Sequence, residues 1–154
     1  MKLVLENDKK DISWVNKFEK AFKEKFNSKY AIAVNSGTSG LHAALLAAGI
    51  KSGDEVIQPP ITVVMDSYVT IHVGAKPVYV DVDEETWNLN IEEIEKAITP
   101  KTKAIITVSL YGLPLQMHKI MQIAKKYNLI VIDDSAETFL AEFNGSLYTN
   151  LADI

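Results

Sequence analysis

The sequence contains no cysteine and no arginine, and these two absences exclude several kinds of chemistry. Without cysteine, the chain has no thiol nucleophile, no disulfide and no cysteine-based metal site. All 16 basic residues are lysine, so the chain lacks the planar guanidinium that binds carboxylates and phosphates through paired hydrogen bonds. Any bound anion must therefore be held by backbone N–H groups, hydroxyls or lysine ammonium groups.

The sequence also lacks long apolar runs and any concentration of basic residues. No stretch is long enough to span a bilayer and the first residues do not resemble a signal peptide, so we expect a cytoplasmic location. The net charge is −4 with acids and bases mixed along the chain, which argues against a nucleic-acid partner. Hydrophobic residues make up 47% and charged residues 23%, a balance typical of a globular domain.

Short apolar runs alternate with amphipathic stretches along the chain, and the two patterns predict strands and helices respectively. The predicted strands are residues 31–34, 55–58, 77–80, 103–109 and 129–133. The predicted helices span residues 13–26, 39–48, 65–73, 91–98 and 117–127. This alternation predicts an α/β fold, with a mostly parallel sheet and helices on both faces. Ligands of such sheets bind beyond the carboxyl ends of the strands.

Small and hydroxyl residues follow the first predicted strand, in the segment Val34–Leu41. A helix follows, and the unpaired N–H groups of its first turn favour a bound phosphate. The hydroxyls of Thr38 and Ser39 can add donors. An ordinary helix cap by Ser36 or Thr38 is the alternative, and the segment matches neither the P-loop nor the dinucleotide-binding pattern.

Two adjacent acids, Asp133 and Asp134, end the last predicted strand. Acids at an apolar strand end are costly unless something pairs with them, and successive strand residues point to opposite faces. Only one of the two therefore faces a site on a given side; a solvated strand end or a helix cap is the alternative. A phosphate cradle at one strand end and a carboxylate at another together match pyridoxal 5'-phosphate (PLP), whose ring needs a protonated nitrogen to act as an electron sink.

Several short segments along nearly the whole chain share one family's motifs. They are Asn35–Leu45, Gly53–Pro59, Gly74–Asp83, Asn88–Asn90, Ile98–Ile105, Leu110–Gly112, Val131–Glu137 and Ser146–Ile154. In this order they resemble the DegT–DnrJ–StrS family of PLP-dependent sugar aminotransferases. The resemblance implies the type I PLP fold, with residues 1–154 as the N-terminal portion of the large domain and no C-terminal small domain. It also implies transfer of an amino group from a donor, usually glutamate, to a nucleotide-linked keto-sugar, by a homo-oligomer.

The resemblance implies a role for each residue that matches a motif. Gly37, Thr38 and Ser39 would bind the PLP phosphate, and Asp134 would pair with the ring nitrogen. Glu137 stands where the family has Gln or Glu near the phenolic oxygen of the cofactor. An ionised Glu137 would repel a phenolate, so we expect it to share a proton or to have a cationic neighbour.

The chain also departs from the family pattern. The lysine that holds the cofactor covalently should follow the last matching segment, but the chain ends at Ile154 and none of its lysines stands at a matching position. No catalytic residue is therefore assigned, and we expect no turnover by this chain alone. Val63 stands where the family has an aromatic residue stacked on the cofactor ring, and Ser109 stands where it often has histidine.

In the family fold the strand at residues 31–34 lies at the far edge of the sheet, and its two neighbours come from sequence beyond this chain. We therefore expect this strand to pair with the strand at residues 129–133, or copies of the chain to associate and cover the edge.

Three other functions remain open on the sequence. They are a PLP-dependent sugar dehydratase, in which histidine replaces the lysine; a non-catalytic remnant or truncated piece; and a doubly wound nucleotide-binding or response-regulator domain. A response regulator needs its acid pair after the first strand, which argues against the last. His42, His72 and His118 share no metal-binding spacing, so no metal site is predicted and each is expected to be structural or exposed.

Overall fold

The computed structural model describes residues 14–143, 145–148 and 151–154. The described residues fall into two compact units, one before residue 36 and one from residue 36 onwards. Each unit is considered by itself below.

In the first unit, helix α1 spans Trp14–Phe26 and confirms the helix predicted at residues 13–26. Its aromatic residues repeat at helical spacing, and the ring centroids of Phe22 and Phe26 lie 4.3 Å apart. The helix ends where Asn27 adopts a left-handed conformation, with φ of 49°, as is common for asparagine after a helix.

The prediction of a strand at residues 31–34 is wrong, because this segment forms no strand in the structure. Its apolar side chains are not buried either, since Ile32 is 80% and Val34 is 48% exposed. A strand is defined by hydrogen bonds to a neighbouring strand, and β propensity alone does not supply one. The expectation that this segment pairs with the strand at residues 129–133 fails for the same reason.

The second unit is built on a four-stranded parallel sheet in the order β2–β1–β3–β4. The strands are β1 (Glu55–Gln58), β2 (Lys76–Tyr79), β3 (Thr102–Val108) and β4 (Ile130–Asp134). β1 and β3 lie inside the sheet and are buried over nearly their whole length, as expected for β-branched residues covered on both faces. The predicted parallel α/β fold is confirmed.

Four helices connect and cover these strands. They are α2 (Gly37–Ala47), α3 (Met65–His72), α4 (Ile91–Ala97) and α5 (Met117–Tyr127). Asn90 caps the start of α4, and its side chain accepts a hydrogen bond from the N–H of Glu92. Asn128 caps the end of α5 in a left-handed conformation. These caps satisfy backbone groups that a helix end leaves unpaired.

The two faces of the sheet carry separate hydrophobic clusters. One face packs against α2 and α3 and includes Leu45, Val69 and Ile132. The other packs against α4 and α5 and includes Ile120 and Val131. Because Val131 and Ile132 belong to opposite clusters, side chains of β4 alternate between the two layers, as the pleat requires.

The outer edge of β4 is hydrogen-bonded by residues near the end of the chain. The N–H of Asp133 donates to the carbonyl of Ile154 over 2.9 Å, and the N–H of Ile154 donates to the carbonyl of Val131 over 3.2 Å. Between these segments lies an antiparallel hairpin of β5 (Glu142–Phe143) and β6 (Ser146–Leu147), which the sequence did not predict.

Candidate functional site

The predicted phosphate cradle forms the first turn of α2. Ser36 is the helix cap, and its Oγ accepts a hydrogen bond from the N–H of Ser39 over 3.2 Å. The hydroxyls of Ser36 and Ser39 are also hydrogen-bonded, at 3.0 Å. Within the described part of the chain, the N–H groups of Gly37 and Thr38 have no acceptor. The cap therefore leaves two amides of the first turn available to a ligand.

The space above this turn is open at Gly37. A methyl group built on Gly37 would meet no other atom within 4 Å, so glycine is not required there by the packing of the protein itself. α2 packs against both α3 and β4. The turn therefore belongs to the helix layer that covers this face of β4. The donor set of amides and hydroxyls fits a phosphate group, and the open space leaves room for one.

The two acids at the end of β4 face opposite layers. Asp134 follows Ile132 on the face covered by α2 and α3, whereas Asp133 follows Val131 on the face covered by α4 and α5. Asp134 is half-buried, and its Oδ1 accepts a hydrogen bond from the N–H of Ala136 over 3.1 Å. No described residue donates to its Oδ2, so Asp134 can accept a further donor on the same face as the α2 turn.

Asp133 is held inside the opposite layer by three hydroxyl groups. Thr107 donates to its Oδ1 over 2.6 Å, Ser135 donates to its Oδ2, and the hydroxyl of Tyr148 lies 3.5 Å from Oδ1. Burial raises the pKa of Asp133, and the hydrogen bonds from Ser135 and Thr107 oppose that increase. With its oxygens occupied in this way, Asp133 serves the fold rather than a ligand.

Glu137 lies in the exposed turn after β4 and is joined to the turn after β3. Its Oε2 accepts a hydrogen bond from the N–H of Tyr111 over 2.5 Å, and Tyr111 has a left-handed backbone with φ of 55°. No ion pair recorded among the described residues involves Glu137. The sequence led us to expect a shared proton or a cationic neighbour for Glu137. Within that part of the chain, the partner found is a backbone amide instead of a cation.

One acid of the site was missed in the sequence. Asp66 lies in the first turn of α3, is fully buried, and accepts a hydrogen bond at Oδ2 from the hydroxyl of Thr62 over 2.6 Å. Its Oδ1 is buried and has no partner among the described residues. Burial raises the pKa of Asp66 to about 6, the Thr62 hydrogen bond opposes this, and the charge of Asp134 adds to it. The available signal was an acid four residues after Thr62, close to Val63 in the sequence.

The segment before α3 also contains Val63, which is 54% exposed and therefore free to lie against a ligand. Beneath this segment the side chain of Gln58, at the end of β1, is fully buried. Its Nε2 donates to Ser67 over 2.6 Å and its Oε1 accepts from Thr70 over 3.1 Å. These bonds fix the first two turns of α3, and hence Asp66, against the end of β1.

The remaining candidates lie outside this constellation. The rings of His42 and His72 approach to 4.9 Å between centroids, and His118 stacks on Phe143 at 6.0 Å. The described residues contain no group of three or more side chains able to hold a metal ion, nor a helix long and apolar enough to cross a membrane. An open concavity of about 930 Å³ follows the acidic loop from Tyr79 to Ala97, at a distance in sequence from the predicted site residues.

Comparison with known proteins places this constellation in a family. The model of the DegT/DnrJ/EryC1/StrS aminotransferase family matches residues 9–154. The GDP-perosamine synthase of Escherichia coli O157:H7 is 44% identical over 92% of this chain and 39% of its own length. The UDP-2-acetamido-2-deoxy-3-oxo-D-glucuronate aminotransferase of Pseudomonas aeruginosa is 42% identical over 91% of this chain and 39% of its own.

Solved structures agree with this assignment. The structure of E. coli GDP-4-keto-6-deoxy-D-mannose-3-dehydratase, which holds hydrated PLP, has a TM-score of 0.83 and 32% identity over 94% of this chain and 39% of that one. The chain thus spans about 39% of the length of these relatives. On the family match over nearly its whole length, this chain belongs to the DegT/DnrJ/EryC1/StrS aminotransferase family.

Proposed function

We propose that this chain forms the cofactor-binding part of a PLP-dependent aminotransferase that acts on nucleotide-linked keto-sugars, in the biosynthesis of amino sugars and polysaccharides. The observation that carries the proposal is that two groups able to bind a ligand lie on the same face of the sheet. The open amides at the start of α2 and the half-buried carboxylate of Asp134 both lie on the face covered by α2 and α3. A phosphate and a protonated ring nitrogen are the two ends of PLP that such groups bind.

Each residue of the site has a stated part in this proposal. The N–H groups of Gly37 and Thr38, with the hydroxyls of Thr38 and Ser39, bind the phosphate. Asp134 accepts a hydrogen bond from the ring nitrogen and keeps it protonated, and Glu137 lies near the phenolic oxygen. When bound, PLP supplies an electron sink for bonds broken at the substrate carbon. The exposed side chain of Val63 covers one face of the PLP ring.

We also propose that residues 1–154 correspond to the N-terminal portion of the family's large domain, and that amino transfer needs groups that this sequence does not contain. None of its 16 lysines matches the family's motif for the cofactor lysine, so the proposal assigns proton transfer at the substrate carbon to no residue of this sequence. The family substrates, a nucleotide-linked sugar and an amino donor, and assembly of a homo-oligomer are part of the same proposal.

The second candidate function is a PLP-dependent sugar dehydratase. It is favoured by the high structural similarity to a GDP-sugar dehydratase. Both reactions need the same phosphate cradle and ring-nitrogen acid, so the described site suits either. A third outcome, a non-catalytic piece that folds and turns over nothing, is separated from both by the experiment below.

The direct test is titration of the purified chain with PLP, followed by the visible absorbance of the cofactor. We expect saturable binding that Asp134→Ala weakens roughly 10- to 100-fold, the size of a lost hydrogen bond to a charged group. Asp133→Ala serves as the matched control and should weaken binding much less. Equal effects of the two substitutions would contradict the assignment of Asp134, and absence of binding would favour the non-catalytic alternative.

Borohydride reduction of the PLP-loaded chain gives a second readout. Because no lysine matches the family position, we expect no single lysine to be labelled. One clean lysine adduct, located by mass spectrometry, would show that another lysine substitutes for the missing one.

A further inference from the structure

Asp66 is an acid that the proposed cofactor site does not yet use. It is fully buried in the first turn of α3, on the same face of the sheet as Asp134, because α3 contributes Val69 to the cluster that contains Ile132. One of its oxygens is bound by the hydroxyl of Thr62 at 2.6 Å. The other, Oδ1, is buried without a partner among the described residues.

This surrounding favours a neutral side chain. An ionised carboxylate with one buried and unpaired oxygen has lost hydration that nothing replaces, and a second carboxylate nearby adds repulsion. A carboxylic acid, in contrast, carries no charge and needs fewer hydrogen-bond donors around it. The pKa of Asp66, raised to about 6 by burial and by the charge of Asp134, points in the same direction.

Other charges near α3 do not compensate Asp66. The helix packs against α2, β1 and β2, and the titratable residues on these elements and on α3 itself are His42, Glu55, Tyr68, His72, Lys76 and Tyr79. Lys76 is paired with Glu55 at 3.7 Å, and His72 lies at the opposite end of α3 from Asp66. Among the described residues, the charge that raises the pKa of Asp66 is that of Asp134.

We propose that Asp66 and Asp134 form a coupled acid pair in the cofactor site, in which Asp66 holds the proton and Asp134 holds the negative charge. This inference rests on the proposed function, since it assigns Asp134 to the ring nitrogen. In the pair, Asp66 is a positioning residue that acts through Asp134. While Asp66 stays neutral, which its pKa of about 6 confines to mildly acidic solution, the ring-nitrogen end of the site keeps one negative charge, which matches the single positive charge of a protonated ring nitrogen.

The pair predicts that a bound cation favours loss of the Asp66 proton, because the positive charge stabilises the second carboxylate. The O–H bond of Asp66 then breaks and the proton passes to the solvent. Binding of PLP with its ring nitrogen protonated should therefore release a fraction of a proton near pH 6. The PLP phosphate, whose second pKa is also about 6, contributes to this release, so Asp66→Asn should reduce the release to the part that comes from the phosphate. Calorimetry in two buffers of different ionisation enthalpy measures it.

The deciding experiment needs no ligand. The chain is labelled with ¹³C at the aspartate carboxyls, and the titration of each signal is followed by NMR, with Asp66→Asn and Asp134→Asn identifying the two signals. We expect Asp66 to titrate near pH 6 and its midpoint to fall by several tenths of a pH unit or more in Asp134→Asn. In Thr62→Val the midpoint should rise, because that hydrogen bond favours the ionised form.

Glu84→Gln is the matched control, since it removes one negative charge from the exposed loop after β2 and should leave the Asp66 midpoint unchanged. Amide spectra of each variant verify that the fold is retained. A midpoint for Asp66 near its ordinary value of 3.8, or one that Asp134→Asn does not move, would overturn the pair. If the NMR coupling is present but PLP does not bind at any pH, the proposed function fails while the acid pair stands.

Discussion

The hydroxyl of Thr107 on β3 donates a 2.6 Å hydrogen bond to Oδ1 of Asp133 on β4. The two residues are opposite each other in the parallel register of the sheet. This contact holds the side chain of Asp133 on the face of the sheet covered by α4 and α5. Because side chains alternate along a strand, Asp134 lies on the face covered by α2 and α3. The two neighbouring acids therefore have different tasks.

Substitution of the two acids should have opposite consequences. Asp133→Ala leaves the hydroxyls of Thr107 and Ser135 without their buried acceptor, so we expect a loss of about 1–3 kcal/mol in the free energy of unfolding. Asp134→Ala removes a half-buried group with one backbone hydrogen bond, and should lower stability less while weakening PLP binding more. Urea denaturation and PLP titration of both variants measure the two effects.

A double-mutant cycle with Thr107→Val refines this prediction. Once Thr107 no longer donates, Asp133→Ala should cost less than it does in the wild type, because the two residues interact directly. Additive costs would mean that the contact between Thr107 and Asp133 contributes nothing to stability.

Gly37→Ala should separate ligand binding from folding. The new methyl group meets nothing within 4 Å in the protein, so the urea midpoint should stay within the range of a neutral substitution, about ±0.5 kcal/mol. It would enter the space proposed for the phosphate, and PLP affinity should fall. Ser36→Ala is the complementary variant, because loss of the cap should cost about 1 kcal/mol of stability. PLP affinity unaltered by Gly37→Ala would argue against a phosphate at this turn.

The pH dependence of stability should reveal the buried Asp66. Its pKa is about 6 in the folded chain against an ordinary value of 3.8, so the folded state binds the proton more tightly than the unfolded state does. This acid therefore contributes a stability that is complete below about pH 3.8 and is lost as pH rises through about 6. The shift corresponds to at most about 3 kcal/mol at neutral pH.

Asp66→Asn removes this titration and should be more stable than the wild type at pH 7.5, with the difference shrinking towards pH 4. Urea denaturation at about pH 4.5, 6.0 and 7.5, which lie below, at and above the folded pKa of about 6, gives the comparison. Because Asp133 also has a raised pKa, some loss of stability over the same range should remain in the variant. A difference that does not vary with pH would show that Asp66 is ionised in the folded chain throughout.

Tyr111 offers a test of backbone strain near the site. It adopts φ of 55° with 82% of its surface exposed, a conformation that disfavours residues other than glycine, asparagine and aspartate. Tyr111→Gly keeps the N–H that donates to Glu137, so we expect stability to rise by up to about 1 kcal/mol. Asn128→Gly, at a residue with the same φ, should change stability less because asparagine tolerates this conformation. A clear loss of stability in Tyr111→Gly would show that the exposed ring makes a needed contact.

The sequence by itself determined the parallel α/β class, most element positions and the family. Periodicity and apolar runs report which side chains are buried, and in the second unit burial and hydrogen bonding follow that pattern closely: all four strands and all four helices predicted there are present. The small and hydroxyl residues at the start of α2 and the acids at the end of β4 were also visible, because their chemistry depends on local positions within a helix turn or a strand.

Tertiary structure alone decided the rest. The segment at residues 31–34 is as apolar as a buried strand, yet forms none, because a strand requires a partner that composition cannot supply. The raised pKa of Asp66 depends on the burial of its side chain in the first turn of α3 and on the charge of Asp134, 68 positions away in the chain. The division of roles between Asp133 and Asp134 likewise required Thr107 on a neighbouring strand. Burial and electrostatic coupling are properties of groups brought together from distant positions, and for that reason they appear only in the folded chain.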